Sequence, residues 1–401
     1  MEIILHASKR LSYIGVSPTM KVSAKAKEMR RKGIDVIDFS VGEPDFPTPE
    51  NVKNAAKKAI DENRTKYTMN VGTPELRKAI VDKLKRDNNL DYDISDIVVS
   101  SGAKQSLFNT ILSMLYVGDE LIIPAPYWVS YPHMVSVAGG ESVIIKTNEK
   151  NGFKITVDEL KSAITPFTKG ILLCNPSNPT GTAYTVNELK QLAEFLEDLD
   201  IYIIADEIYE KLTYGDYKFV SFASLSEKLK KKTIVINGVS KAYAMTGWRL
   251  GYAAGPPEII NGINKIQSHS TSNASSISQY AAIEALNGPQ DAVEKMRKIF
   301  EERKNYLYSE LTKIEEITCI NPQGAFYLFP NIGKFFGKAY GSYIIKNSVD
   351  LSLYLLEEAK VALVPGSAFG LEGYVRISFA NSMDNLIEGV KRLKSALAKL
   401  Q

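Results

Sequence analysis

The chain has 401 residues, of which 44% are hydrophobic and 24% charged, a composition typical of globular proteins. Its 49 lysine and arginine residues nearly balance its 46 aspartate and glutamate residues, so the formal net charge is only +3. This balance argues against a nucleic-acid-binding surface or a polybasic membrane patch, because both depend on a large excess of positive charge.

Short apolar runs alternate with longer amphipathic stretches through the middle of the chain. We predict strands in the runs 97–100, 120–123, 170–173, 201–205 and 233–236. Helices are predicted between them, for example over 104–115 and 186–199. Strands that alternate with helices in this way predict an α/β fold with a mostly parallel sheet covered on both faces.

The pattern changes towards both ends of the chain. An apolar run at 36–39 precedes the alternating block, and the turn residues 287–289 end it. Beyond this turn we predict a helix over 292–311, followed by a mixture of strand and helix in the segments 325–329, 352–359, 375–379 and 385–400. The chain is therefore predicted to form a large domain from residues 50–288 and a smaller α+β domain from 1–49 and 289–401.

The two cysteines, Cys174 and Cys319, lie far apart in sequence and fit no metal-binding spacing. Both have apolar neighbours, which favours buried, inert thiols and a reducing compartment. Residues 1–10 lack the apolar core of a signal peptide, and no segment has the roughly 18 apolar residues of a membrane span. We therefore expect a cytoplasmic protein without a metal site or a membrane partner.

Polar segments follow four of the predicted strands, at the sheet edge where α/β proteins bind ligands. In chain order these segments contain Ser101-Gly102-Ala103, Asn178-Pro179-Thr180-Gly181, Asp206-Glu207-Ile208-Tyr209, and Ser240-Lys241 with Arg249 eight residues later. The first suits a phosphate at a helix start. Lys241, just past a buried strand, is a candidate Schiff-base amine, because burial lowers the pKa of lysine.

Each segment alone also has an ordinary structural interpretation. Asp206 could cap the following helix, and Lys241 could belong to a surface loop. It is the occurrence of all four in this order that favours a shared site.

In that order the four segments closely resemble the pyridoxal-phosphate-dependent aminotransferases of fold type I, in particular the class I family that contains aspartate aminotransferase. Similar segments extend along almost the whole chain and include Ser17-Pro18-Thr19, Val41-Gly42-Glu43-Pro44-Asp45-Phe46, Tyr67-Thr68 and Val375-Arg376-Ile377-Ser378. Gly102-Ala103-Lys104-Gln105 and the segment 126–132 are most similar to bacterial and archaeal members. The resemblance implies a large domain with a mostly parallel, mixed sheet flanked by helices, and a smaller α+β domain built from both chain ends.

The resemblance also implies how the residues would hold pyridoxal 5'-phosphate. Lys241 would attach the cofactor covalently and later shuttle a proton. Asp206 would pair with the pyridinium nitrogen, and Asn178 and Tyr209 would bind the ring oxygen. Trp128 would stack on the ring, with simple core packing as the alternative for this residue.

For the cofactor phosphate, the resemblance implies contacts with the backbone of Ser101, Gly102 and Ala103 and a counter-charge from Arg249. In this family a tyrosine of the partner subunit completes the phosphate site, and Tyr67 occupies the matching position. The resemblance therefore implies a homodimer with shared active sites.

One position departs from the family pattern. Many relatives carry a serine where this chain has Gly238, which leaves one phosphate contact open.

For the substrate, the resemblance implies that Arg376 binds the α-carboxylate beside the backbone of Gly42, with Trp128 and Asn178 also in contact. Lys104 is the candidate reader of a second, distal carboxylate, with a solvated helix-start lysine as the alternative.

The expected function is an aminotransferase that moves an amino group from an L-amino acid, L-aspartate in the first place, to 2-oxoglutarate by a ping-pong mechanism. The alternatives are an aromatic or broad-specificity aminotransferase and, in other classes, a pyridoxal-phosphate lyase or a transcription regulator built on this fold. Gly15-Val16 lacks the basic residue found near there in relatives that accept prephenate, which argues against that activity. His133 and His269 are expected to be structural.

Overall fold

A computed structural model describes residues 8, 14, 15 and 19–401. Val16, Ser17 and Pro18, which enter the resemblance, lie outside the described residues. The helices are α1 (Thr19–Arg31), α2 (Glu50–Asp61), α3 (Pro74–Asn88), α4 (Ala103–Met114), α5 (Ser130–Ala138), α6 (Val157–Ala163), α7 (Val186–Leu196), α8 (Glu227–Lys230), α9 (Pro257–Ser268), α10 (Ser276–Asn287), α11 (Asp291–Leu311), α12 (Ser348–Tyr354) and α13 (Met383–Leu397). The strands are β1 (Ile37–Asp38), β2 (Ile97–Ser100), β3 (Glu120–Ala125), β4 (Glu141–Lys146), β5 (Thr168–Cys174), β6 (Tyr202–Asp206), β7 (Thr233–Gly238), β8 (Gly251–Ala254), β9 (Tyr327–Leu328), β10 (Ala339–Tyr340), β11 (Tyr343–Ile344), β12 (Val361–Ala362), β13 (Val364–Pro365) and β14 (Val375–Ser378).

Several helices begin where the local sequence favours a start. Thr185 accepts a hydrogen bond from the Glu188 backbone at the start of α7, and the Glu188 side chain accepts one from the Thr185 backbone. The same reciprocal arrangement joins Thr156 and Glu159 at α6. Such caps satisfy backbone N–H groups that have no partner inside the helix.

Within residues 19–401, seven strands form one mixed sheet in the order β2-β8-β7-β6-β5-β3-β4. The five strands predicted from the central apolar runs are β2, β3, β5, β6 and β7, so the predicted α/β sheet is confirmed. Strand β8 runs antiparallel to both of its neighbours, β2 and β7. Its first residue, Gly251, therefore pairs with Ser100 and Gly238, the last residues of those strands.

Helices cover both faces of this sheet. Alternate residues of each strand point to opposite faces, so each strand packs against both layers of helices. In β7, Ile234 and Ile236 pack in one cluster with residues of α4, α5 and α9. Val235, between them, packs in another cluster with residues of α3 and α10. The strands are therefore apolar on both faces, and polar side chains collect at their ends.

The chain ends meet in a second group of elements. Strand β1 pairs in parallel with β12, through Ile37 with Val361. Strands β13, β14 and β9 form an antiparallel sheet. Helices α11 and α13 contribute residues to the cluster around that sheet. This grouping agrees with a smaller domain built from both ends, and the boundaries at 49/50 and 288/289 stay a prediction.

The predictions for the chain ends differ from the structure mainly in length. Within the segment 325–329 only Tyr327–Leu328 form a strand, and within the run 36–39 only Ile37–Asp38 do. The mixed segment at 352–359 is helical, because α12 continues into a π-helical turn over Leu355–Ala359.

No helix in the described part of the chain is both long enough and apolar enough to cross a bilayer.

Gly251 tests how closely β8 must pack. A Cβ atom at this position would lie 2.2 Å from the Ala103 nitrogen and 2.6 Å from the Gly102 carbonyl carbon. We expect Gly251→Ala to lower the free energy of unfolding by about 1–3 kcal/mol, because the new Cβ atom would collide with backbone atoms, which cannot move aside without disturbing the turn. Denaturant unfolding measures the change, with Gly247→Ala as the control, since a Cβ there meets nothing within 4 Å. Equal stability of both variants would contradict the close packing.

Candidate active site

A cavity of about 700 Å³ opens at the edge of the large sheet where β2, β5, β6 and β7 end. Its walls include ten of the residues predicted for the site: Gly42, Ala103, Lys104, Trp128, Asn178, Asp206, Tyr209, Lys241, Arg249 and Arg376. These residues come from distant parts of the sequence and converge because carboxyl ends of parallel strands share one edge.

Asp206, the last residue of β6, is 4% exposed. One carboxylate oxygen accepts a hydrogen bond from the Tyr131 hydroxyl at 2.6 Å, and the other accepts one from the Ile208 backbone at 3.3 Å. Burial raises the pKa of Asp206 to about 6, although both hydrogen bonds and the positive charge of Lys241 oppose this shift. The alternative, a cap on a following helix, does not apply, because a turn and not a helix follows β6; the Ile208 contact belongs to that turn.

Lys241 lies just beyond β7, and its Nζ donates a hydrogen bond to the carbonyl oxygen of Gly42. Burial lowers the pKa of Lys241 to about 8, and the nearby cations Arg376 and Arg249 lower it further against the opposing effect of Glu43 and Asp206. A lysine with such a pKa is a usable nucleophile near neutral pH, because a substantial fraction is uncharged.

The segment that carries Gly42 is anchored on α11. Arg303 donates two hydrogen bonds to the Asp45 carboxylate, at 2.7 and 3.0 Å. Next to it, the Phe46 ring packs edge-on against Phe300, with 5.3 Å between centroids. Asp45 and Phe46 therefore anchor the segment 41–46, which the resemblance singled out, to α11.

The predicted phosphate turn lies against Arg249. Gly102, with φ of +90°, precedes α4, and a Cβ atom there would lie 2.5 Å from Nη2 of Arg249. The Arg249 guanidinium donates to the backbone oxygens of Ser101 at 3.4 Å and Thr246 at 2.8 Å. The positive φ of Gly102 favours glycine, and the absence of a side chain lets the guanidinium lie close to a helix start, whose first N–H groups lack helical partners. The arrangement combines an exposed cation with helix N–H groups, which suits a phosphate.

Gly238 departs from the family pattern for a steric reason. A Cβ atom at Gly238 would lie 2.8 Å from the Cα atom of Gly251 and 2.9 Å from the Leu250 oxygen. The close pairing of β7 with β8 therefore leaves no space for a serine side chain at this position.

Arg376 of β14 is buried in the cavity wall. Its guanidinium donates to Asn178 Oδ1 at 3.0 Å and to the Ser40 oxygen at 2.8 Å, and it lies 4.3 Å from the centroid of the Tyr327 ring. Its Nε has no hydrogen-bond partner. Since a buried guanidinium needs an anionic partner, Arg376 suits a carboxylate entering the cavity.

Lys104 lies above the Trp128 ring, with Nζ 4.8 Å from its centroid. Burial lowers the pKa of Lys104, and Arg249 adds to this effect. Lys104 lines the cavity and is also exposed to solvent, so a solvated helix-start lysine stays open as the alternative. The Trp128 ring also packs edge-on against Tyr131, which fixes its orientation at the cavity wall.

Tyr67 stands apart from the other predicted residues. Its side chain is 92% exposed, and it does not line the cavity formed by its own chain.

Two tyrosines of the site were missed by sequence reasoning. Tyr131 donates to Asp206, and Tyr327 shares a hydrogen bond of 2.9 Å with the Tyr209 hydroxyl. Tyr131 lay within the segment 126–132 that supported the resemblance, so its place three residues after Trp128 was a usable signal. For Tyr327 the sequence offered no such signal, because β9 reaches the site only by pairing with β14 in the folded chain.

The thiols and imidazoles are not part of the polar machinery. Burial raises the pKa of both Cys174 and Cys319 to about 12, so neither thiol ionises near neutral pH. Cys174 does line the cavity, beside Asp206, whereas His133 and His269 do not. Among the described residues, no group of three or more His, Cys, Asp or Glu side chains could hold a metal ion.

Known proteins resemble this chain along almost its whole length. The family model "Aminotransferase class I and II" matches residues 34–393. The aspartate aminotransferase of Geobacillus stearothermophilus is 50% identical over 386 residues, which cover 96% of this chain and 97% of that protein. A probable aspartate/prephenate aminotransferase of Rickettsia conorii is 47% identical, covering 97% of this chain and 98% of that protein.

Among solved structures, the aspartate aminotransferase of Rhizobium meliloti superposes with a TM-score of 0.96 at 45% identity, covering 99% of this chain and 100% of that one. The family resemblance and the fold expected from the sequence are thus confirmed. The chain belongs to the class I and II aminotransferase family and is a pyridoxal-phosphate-dependent aminotransferase of fold type I.

Proposed function

We propose that this enzyme transfers the amino group of L-aspartate to 2-oxoglutarate by a ping-pong mechanism. The observation that carries the proposal is that one cavity contains Lys241 together with three further cations, Arg249, Arg376 and Lys104. With Arg249 beside the phosphate turn, Arg376 and Lys104 are left for a substrate with two carboxylates, and Lys241 for the chemistry at its amino group. The names of the relatives, aspartate aminotransferases among them, support the same substrate.

The residues of the cavity fit pyridoxal 5'-phosphate. The buried Asp206 carboxyl group, partnered on one side by Tyr131, suits a ring nitrogen that must stay protonated. The cradle of Gly102 and Arg249 suits the phosphate, together with the backbone of Ser101 and Ala103. The Trp128 face, Asn178 and the Tyr209 hydroxyl line the space left for the ring and its oxygen.

When bound, pyridoxal phosphate withdraws electrons from the substrate Cα atom and carries the amino group between the two half-reactions. Lys241 would supply the amine that holds the cofactor. Its uncharged Nζ would also be placed to take the proton from the substrate Cα atom. Its lowered pKa suits both tasks, because Nζ must be uncharged to attack and to accept a proton.

Arg376 orients the substrate by pairing with its α-carboxylate beside Gly42. Asn178 holds the guanidinium through a hydrogen bond of 3.0 Å, so the arginine is preorganised. Lys104 binds the distal carboxylate. Lys104 has a single amine and lacks the two parallel N–H groups with which an arginine binds a carboxylate, so it also leaves room for uncharged amino donors. A broad-specificity or aromatic aminotransferase is therefore the second candidate.

The exposed Tyr67 supports a homodimer with shared active sites. An aromatic side chain that is 92% exposed costs free energy in water, and its neighbour Met69 is 54% exposed. In the proposed dimer, Tyr67 reaches the phosphate group in the partner subunit. A cytoplasmic location likewise stays a prediction.

The two-step mechanism predicts a defined stoichiometry. We expect the loaded enzyme to convert one equivalent of aspartate per active site when no 2-oxo acid is present, because the nitrogen then stays on the enzyme. Rapid quench and product analysis measure this burst. A lyase would continue beyond one equivalent. Lys241→Ala should give no burst and no covalent attachment, and attachment to another lysine would refute the assignment.

Lys104→Ala tests whether Lys104 binds the distal carboxylate of the substrate. We expect kcat/KM for aspartate to fall by about ten- to a hundredfold, because one charge-assisted contact is lost. The value for phenylalanine should change by less than about threefold, since that donor has no distal charge. A donor panel with 2-oxoglutarate as acceptor measures both. Equal losses for the two donors would show that Lys104 does not select acidic substrates.

Tyr131→Phe tests the control of the Asp206 charge. In the apoenzyme, affinity for the cofactor should fall as the pH drops through about 6, where Asp206 becomes protonated and loses its charge. Removing the hydroxyl removes an interaction that lowers this pKa, so the fall should move to higher pH, by about one unit. Absorbance titrations at several pH values measure it. Tyr354→Phe, which loses a buried hydroxyl bonded to Ala396, should leave the profile unchanged.

A further inference from the structure

Tyr327 lies between Tyr209 and Arg376 in the cavity wall, although neither its sequence context nor the family motifs singled it out. The side chain is 1% exposed, and it lines the cavity. Its hydroxyl lies 2.9 Å from the Tyr209 hydroxyl, and its ring lies 4.3 Å from the Arg376 guanidinium carbon. One side chain therefore touches a proposed cofactor residue and the proposed substrate anchor.

The hydroxyl contact has a direction once Tyr209 acts on the cofactor. Each tyrosine hydroxyl has one proton to donate. If Tyr209 donates that proton to the cofactor ring oxygen, its own oxygen can only accept from Tyr327. Donation by Tyr327 polarises the Tyr209 hydroxyl and strengthens the bond that Tyr209 donates.

The ring contact acts on Arg376 separately. Tyr327 of β9 and Arg376 of β14 lie on adjacent antiparallel strands, in which Ile377 pairs with Leu328. A guanidinium over an aromatic face is attracted by the ring and is kept flat against it. Phe369 offers a second ring 5.2 Å from the same guanidinium carbon. Arg376 is thus restricted to a narrow range of orientations before a carboxylate arrives.

We propose that Tyr327 is a positioning residue with two separable effects: its hydroxyl orients and polarises Tyr209 toward the cofactor, and its ring fixes Arg376 for the substrate α-carboxylate. The inference rests on the proposed function, since it needs a cofactor at Tyr209 and a carboxylate at Arg376. It goes further by assigning both tasks to one residue.

Tyr327→Phe removes the hydroxyl and keeps the ring. The expected result is a higher pH midpoint of the absorption change of the bound cofactor, because a less stabilised ring oxygen holds the proton on the Lys241 nitrogen more strongly. The midpoint should move in the same direction as in Tyr209→Phe, by a smaller amount. KM for 2-oxoglutarate should stay within about twofold of the wild type, because the ring under Arg376 remains.

Tyr327→Leu removes the ring as well. Here KM for 2-oxoglutarate should rise about tenfold, because the guanidinium loses its aromatic support. Binding of succinate, followed by the absorbance of the bound cofactor, gives the same comparison without turnover, and its dissociation constant should rise similarly. Two substitutions at one position thus separate the two effects.

Tyr214→Phe is the matched control. Tyr214 is 3% exposed in the same hydrophobic cluster, and its hydroxyl donates to the Ala325 carbonyl away from the cavity. This variant should keep the wild-type midpoint and KM. The proposal is overturned if Tyr327→Phe leaves the midpoint unchanged, or if Tyr327→Leu leaves succinate affinity unchanged. A wild-type enzyme without cofactor absorption or transamination would instead contradict the proposed function.

Discussion

Asp206 ends a strand that is buried on both faces, so its carboxyl group cannot reach bulk water. A buried carboxylate is costly unless hydrogen bonds and opposite charge compensate it. Tyr131, the Ile208 backbone and the nearby Lys241 supply this compensation, and the pKa still rises to about 6. The remaining imbalance means that a cationic group next to Asp206 would further stabilise its charge, which is the basis of its proposed pairing with a protonated ring nitrogen.

The antiparallel strand β8 is the second constraint. Because it runs against its neighbours, it starts at the edge where they end, and Arg249 immediately precedes that edge. Close contact at Gly238 and Gly251 brings the strands together, so Arg249 reaches the turn at Gly102. With Lys104, Lys241 and Arg376 it makes four cations in one cavity of a chain that is nearly neutral as a whole. The net charge could therefore argue against polyanion partners but could not indicate this site.

Much of the site was predictable because its residues follow strands. Asp206 directly follows the apolar run 201–205, and Lys241 follows the end of β7 by three residues. In a parallel sheet such positions meet at one edge. Strand β8 escaped prediction because its four small or aromatic residues resemble a continuation of the preceding loop. Tyr327 escaped because β9 has only two residues and reaches the cavity through pairing with β14, a contact between segments some 50 residues apart.

The amino-acid sequence by itself determined the α/β class, the family and the residue types of the chemistry, since motif spacing and strand ends are local properties of the chain. Tertiary structure alone decided which groups share protons and charge. Three contacts depend on side-chain distances of a few ångströms: Tyr131 with Asp206, Tyr327 with Tyr209, and Lys104 with the Trp128 ring. Hydrogen bonds and pKa shifts fall off steeply with distance and with exposure, so only the folded chain specifies them.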